Sequence, residues 1–127
     1  MRLKNISLSY GMRIFKAISE EPRVRILHLL QQNKELSISD LEHILDFTQT
    51  KTSRHLSYLK NSGLVGSKKI DQWTFYYLLE ETSEIIQQIL KFIQKDNRLI
   101  KDQEIYEILY SNRELAKNKI QDNKYGQ

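Results

Sequence analysis

The sequence predicts a mainly α-helical fold with one β-hairpin, an α+β arrangement in one small domain with a helical extension. Three observations predict it. From Phe47 to Gly63 the chain reads as one helix, with Thr48 placed as its N-cap and Gly63 as a left-handed stop; Thr52, Leu56 and Leu59 recur between them at core spacing. After Gly63 the period changes. Residues 64–70 and 73–79 are rich in β-branched and aromatic side chains around a tight-turn candidate, Asp71-Gln72. On both sides of this unit a helical rhythm of apolar residues returns.

In chain order, Leu8, Met12, Phe15 and Ile18 predict a first helix over about Ser7–Glu20. Tyr10 and Ile14 lie off that stripe, on a second face suited either to a partner subunit or to a further core contact. Pro22, the only proline, stands where a first helical residue belongs, behind the acidic pair Glu20-Glu21. A second helix follows to about Gln32. Its Val24, Ile26, Leu27, Leu29 and Leu30 cover most of its circumference, so it should be central in the core, with Arg23 and Arg25 pointing elsewhere. Ser37 and Asp40 resemble a capping box for a third helix, which presents Ile38, Leu41, Ile44 and Leu45 and ends near Asp46. A three-residue break then leads into the Phe47–Gly63 helix, a helix-turn-helix pattern. The hairpin behind it is a wing, with Trp73, Phe75 and Tyr77 expected to cover the core. From Ser83 the pattern is helical again, interrupted near Asp96-Asn97, and it carries more apolar residues than an 80-residue core can cover, Leu115 among them. This extension and the first helix are expected to form a two-fold dimer interface, the other reading being a helix folded back on its own domain. Residues 1–82 are thus read as the winged helix-turn-helix domain, 83–116 as a dimerisation extension and 117–127 as a disordered polar tail.

Composition narrows the function. The chain has 127 residues and no cysteine, which excludes disulfides and thiolate metal sites. No apolar run approaches the ~18 residues of a membrane span, and the N-terminus lacks a signal-peptide pattern, so a soluble cytoplasmic protein is expected. The net charge is +4. Between Phe47 and Tyr77 stand Lys51, Arg54, Lys60, Lys68 and Lys69 against Asp71 alone, so this segment accounts for the whole surplus. A basic patch on one supersecondary unit suits a phosphate-bearing partner. On the long helix, Thr50, Ser53, Arg54, Ser57 and Asn61 form an arc of short polar groups with one guanidinium. Such side chains read bases in a major groove, although the same arc also describes an ordinary solvated helix face.

Several blocks together resemble the ArsR/SmtB winged-helix repressors: Glu21-Pro22-Arg23-Val24-Arg25-Ile26-Leu27, Ser37-Ile38-Ser39-Asp40-Leu41, Ser53-Arg54-His55-Leu56 with Gly63-Leu64-Val65, and Trp73 to Leu78. The resemblance covers about residues 12 to 79. It implies a homodimer that binds an operator in double-stranded DNA and represses transcription until an effector releases it. It carries DNA contacts onto Gln49, Thr50, Lys51, Ser53, Arg54 and His55, beside the cap residue Thr48, with Lys68 and Lys69 of the wing on phosphates. His55 borders the buried stripe, so it is read either as a base contact or as a core histidine. The family's cysteine sensor block is replaced here by Ser37 and Ser39, poor ligands for soft metals. No metal site, no cofactor and no catalytic residue is expected, and the effector is left open. The wing tip departs too: the family's usual glycine and basic residue are Asp71-Gln72 here, which should shift phosphate contact back onto Lys68 and Lys69. The proline also stands one residue later than usual relative to Arg23. The second function class is a winged-helix module that binds protein. It would more often expose aliphatic or aromatic residues where this chain carries its polar arc.

Overall fold

The computed structural model describes residues 5–125, with side chains described for 5–113. Helices α1 (Leu8–Ala17) and α2 (Glu21–Gln32) are followed by the short strand β1 (Leu36–Ser37). Helices α3 (Ile38–Leu45) and α4 (Gln49–Asn61) come next, then the hairpin strands β2 (Val65–Ile70) and β3 (Trp73–Leu78). Helices α5 (Glu80–Leu90) and α6 (Asn97–Tyr125) complete the chain. The sheet is antiparallel in the order β1-β3-β2, with Leu36 opposite Tyr76 and Ile70 opposite Trp73 across the turn.

Local chemistry explains the element ends. Ser37 accepts a hydrogen bond from the Asp40 N–H at 3.1 Å and caps α3; the carboxylate of Asp40 does not close the expected box but turns to α6. Asp46 ends α3 at φ 56°, a left-handed position that aspartate tolerates better than most residues. At the far end of α4, Gly63 sits at φ 77°, and the Leu64 N–H reaches back to the Leu59 carbonyl at 3.0 Å. That bond closes the helix with the glycine-based stop its sequence predicts.

Helix α2 is the centre of the core: Ile26, Leu27 and Leu29 are fully buried and meet Leu41, Leu56 and Leu59 from α3 and α4. Arg23 and Arg25 do not point elsewhere. Arg23 is buried; its Nε and Nη2 donate to the carbonyls of Ala17 and Lys16 at 3.0 and 2.8 Å, and its Nη1 pairs with Glu20. It satisfies the open carbonyl end of α1, and its guanidinium lies 4.1 Å from the Tyr58 ring centre.

Two faces are exchanged relative to expectation. On α1 the buried residues are Ile14 (1% exposed) and Ala17, with Tyr10 sharing a 2.7 Å hydrogen bond with Thr82; Leu8 (81%) and Phe15 (60%) face out. Both stripes have helical spacing, and the small Ala17 hides the one that packs. On the wing, Tyr76 and Leu78 pack on the core, while Trp73 is half-exposed and Phe75 and Tyr77 lie on the other side. Leu78 pairs with Val65, which is buried where it leaves α4, and cross-strand partners share a face. Tyr77 instead covers Gly66, where an added Cβ would stand 2.7 Å from the ring.

The C-terminal segment packs on its own domain as well as offering outward surface. Helix α6 folds back over α2 and α3 of its own domain. Leu99 and Asp102 are buried there, and Ile105, Tyr106 and Leu109 pack against the core cluster. Arg25 forks onto Asp102 with two 2.9 Å bonds, and Asn33 and Gln103 exchange amide hydrogen bonds at 2.8 and 3.1 Å. The helix backbone runs on through 117–125, where a disordered tail was expected. That stretch lacks periodicity, but it has no proline or glycine before Gly126 to stop a helix. The side chain of Leu115 lies outside the described residues.

Candidate nucleic-acid interface

The α3–turn–α4 unit displays the start of α4 at the surface. Thr48 Oγ1 accepts from the Lys51 N–H at 3.1 Å, so this hydroxyl is engaged as an N-cap. Thr52, at full burial, anchors the other side of the first turn by donating from its hydroxyl to the Thr48 carbonyl at 2.8 Å. With that side held inward, Gln49, Thr50, Arg54, Ser57 and Asn61 are exposed, and Ser53 and Lys51 are half-buried beside them. Lys51 lays its ammonium 4.1 Å from the centre of the Phe47 ring, which restrains it near the helix start. Arg54 has no ion-pair or hydrogen-bond partner among the described residues and projects into solvent.

His55 separates from this set. It is 4% exposed, behind the surface arc. Burial, followed by the positive fields of Arg54, Arg23 and Lys51, lowers its pKa below the usual 6.5, against a small upward pull from Glu20. It is therefore neutral at physiological pH and belongs to the core side of α4, which decides between its two readings. His28 on α2 is similarly buried, with its pKa lowered by desolvation against the opposing field of Asp102. Both groups bind protons more weakly folded than unfolded. Between the lowered pKa values and about 6.5 the unfolded chain holds more protons, so stability rises with pH through that window and falls as pH drops through it. Urea midpoints should be lower at pH 5.5 than at pH 7.5, and His28→Leu should shrink the difference. An unchanged difference would remove His28 from the acid sensitivity.

On the wing, Lys69 is exposed and without an ion-pair partner among the described residues, whereas Lys68 is paired with Glu35 at 2.5 Å. The phosphate-facing charge expected of Lys68 is thus partly neutralised by its own fold. Asp71 occupies the turn at φ 56°, a conformation that favours glycine, which accounts physically for glycine at this tip in the family pattern. Lys60, counted above only as part of the basic patch, also makes a contact that sequence reasoning missed. Its Nζ donates to Ser67 Oγ at 2.7 Å, an exposed contact between the end of α4 and the wing. No local pattern signals a bond that depends on the hairpin's return.

Residues 20–67 match the family model described as bacterial regulatory protein, arsR family. The chain is similar to the arsenical resistance operon repressor of Escherichia coli, 40% identical over 73 residues, which cover 58% of this chain and 62% of that one. It is also similar to the arsenic resistance transcriptional regulator ArsR2 of Pseudomonas putida, 31% identical over 84 residues, covering 66% of this chain and 73% of the regulator. The chain belongs to the ArsR family. Among solved structures, HlyU from Vibrio cholerae superposes on it with a TM-score of 0.62 at 33% identity, covering 66% of this chain and 91% of HlyU. The match therefore spans about three fifths of the E. coli repressor, and a third of this ArsR-family chain lies outside the HlyU superposition. The relatives are named as regulators of transcription, not as enzymes. Among the described residues no group of three metal-ligating side chains is brought together, and no helix is long and apolar enough to cross a membrane.

Proposed function

We propose that this ArsR-family regulator binds double-stranded DNA as a homodimer and represses transcription from an imperfect inverted-repeat operator. The observation that carries the reading is the exposed polar arc of α4, with Arg54, which has no partner among the described residues, beside Gln49 and Thr50 at the helix N-terminus. Recognition helices contact bases with their N-terminal residues, and a free guanidinium matches guanine O6 and N7. Thr50, Ser53 and Gln49 read bases in this scheme, Arg54 reads a base or holds a phosphate, and Lys51 and Lys69 meet phosphates. The dimer is supported by the outward stripe of α1, where Leu8, Met12 and Phe15 leave apolar surface that a second copy would cover, and by Phe92 just after α5, 90% exposed. Repression is carried over from the E. coli relative's name; the V. cholerae relative is named as an activator, so the sign of regulation is tested separately by reporter assay.

The deciding experiment is selection of binding sites from a random duplex library at about physiological salt, with the oligomeric state measured by sedimentation. An enriched inverted repeat with half-sites about one helical turn apart is the expected result. A verified dimer with no enriched sequence would sink the operator reading and favour a protein-binding winged helix.

A further inference from the structure

We propose that the cavity between the start of α3, the wing and α6 binds a small organic cation, a guanidinium or primary amine, which competes with Arg113 for the Asp40 carboxylate. The cavity measures about 370 Å³ and is lined by Ser37, Ser39, Asp40, Trp73, Phe75 and Arg113. That volume falls within the range of small-molecule sites. Asp40 is buried, and its carboxylate is satisfied by Arg113 alone among the described residues, through Nη2 at 2.5 Å and a longer Nη1 contact at 3.4 Å. Arg113 itself is half-exposed and arrives from the far end of the described part of α6. The site therefore already accepts a guanidinium, supplied by the chain.

The rest of the lining suits the same chemistry. Trp73 and Phe75 bring two aromatic rings, and among the described residues no cation lies over either of them. Aromatic faces beside a carboxylate attract ammonium and guanidinium groups. The exposed Ser39 hydroxyl can accept a further N–H. One carboxylate and two hydroxyls make a poor set for a soft metal ion. An entering cation would take the Asp40 oxygens, and Arg113 would return to solvent. The end of α6 would then lose its ionic hold on α3, which packs directly against α4. Any consequence for operator affinity rests on the DNA-binding reading above; the site itself does not.

Trp73 is the only tryptophan and lines the cavity, so its emission reports occupancy. The full chain is titrated with agmatine at constant ionic strength, with sodium chloride as the control for screening. A saturable change in emission is expected with agmatine and not with salt. Asp40→Asn, verified as folded by circular dichroism, should abolish it. Arg113→Ala removes the resident competitor, so agmatine should bind about 2–5-fold more tightly, the worth of a half-exposed ion pair. A merely structural Arg113 gives no such gain, and this variant keeps the test decisive if Asp40→Asn does not fold. The proposal is overturned by no saturable response in either wild type or Arg113→Ala, by an undiminished response in folded Asp40→Asn, or by unchanged or weaker binding in Arg113→Ala. No DNA is present, so this outcome is independent of the selection experiment.

Discussion

Asp102→Ala should destabilise the fold by about 3 kcal/mol, the low end for removing one partner of a buried ion pair. Asp102 is 2% exposed and takes both of its 2.9 Å bonds from the Arg25 fork, which retains some contact with water. The loss is large because Arg25 has no other hydrogen-bond acceptor among the described residues. Its stem is fixed in α2, and its guanidinium lies 5.5 Å from the centre of the Phe47 ring. Truncating Asp102 leaves that charge without its acceptor while α6 still covers it. Chemical denaturation of wild type and variant measures the difference. The double variant Arg25→Met/Asp102→Leu should recover most of it, since a packed apolar pair carries no desolvation penalty. A single variant within about 0.5 kcal/mol of wild type, the ordinary range for surface changes, would show that α6 does not hold its place through this pair.

Arg54→Ala should weaken specific DNA binding by about 1–3 kcal/mol with no comparable loss of stability. The second half of that expectation follows from the structure: Arg54 is exposed and bonds to nothing described, so its removal costs the fold little. The first half follows from its place on the outward arc of α4. Affinity for the selected operator and for a random duplex, each across a salt series, separates the roles. Loss on the operator alone assigns Arg54 to a base. Equal loss on both, with the salt slope reduced by about one, assigns it to a phosphate. No loss on either would remove Arg54 from the interface.

The order of the elements was legible because short-range chemistry writes it. Pro22 at a helix start, Ser37 and Thr48 as caps and Gly63 as a stop each act on groups within five residues, and the structure bears all four out. The polar arc of α4 was legible for a related reason. Thr52, Leu56 and Leu59 so clearly make one buried stripe that the opposite side must face out. His55 stood at the border of that stripe, and only its burial resolved it.

Faces and partners were harder to read. Leu8, Met12 and Phe15 and their competitors Tyr10, Ile14 and Ala17 follow the same spacing, so α1 alone does not determine which stripe packs. The wing has the same ambiguity one residue apart, settled by the pairing of Leu78 with buried Val65. For α6 the deciding partners lie far away in sequence: Arg25 and Asp102 are 77 residues apart, and Asp40 and Arg113 are 73. By itself the sequence determined the family, the helix-turn-helix with its wing, the caps and the outward arc, because periodicity and capping are local. Only the tertiary structure decided which faces are buried, that Lys68 is partly neutralised by Glu35, and that α6 closes over α2 and α3. Those outcomes depend on which surfaces meet, and that depends on where the rest of the chain returns.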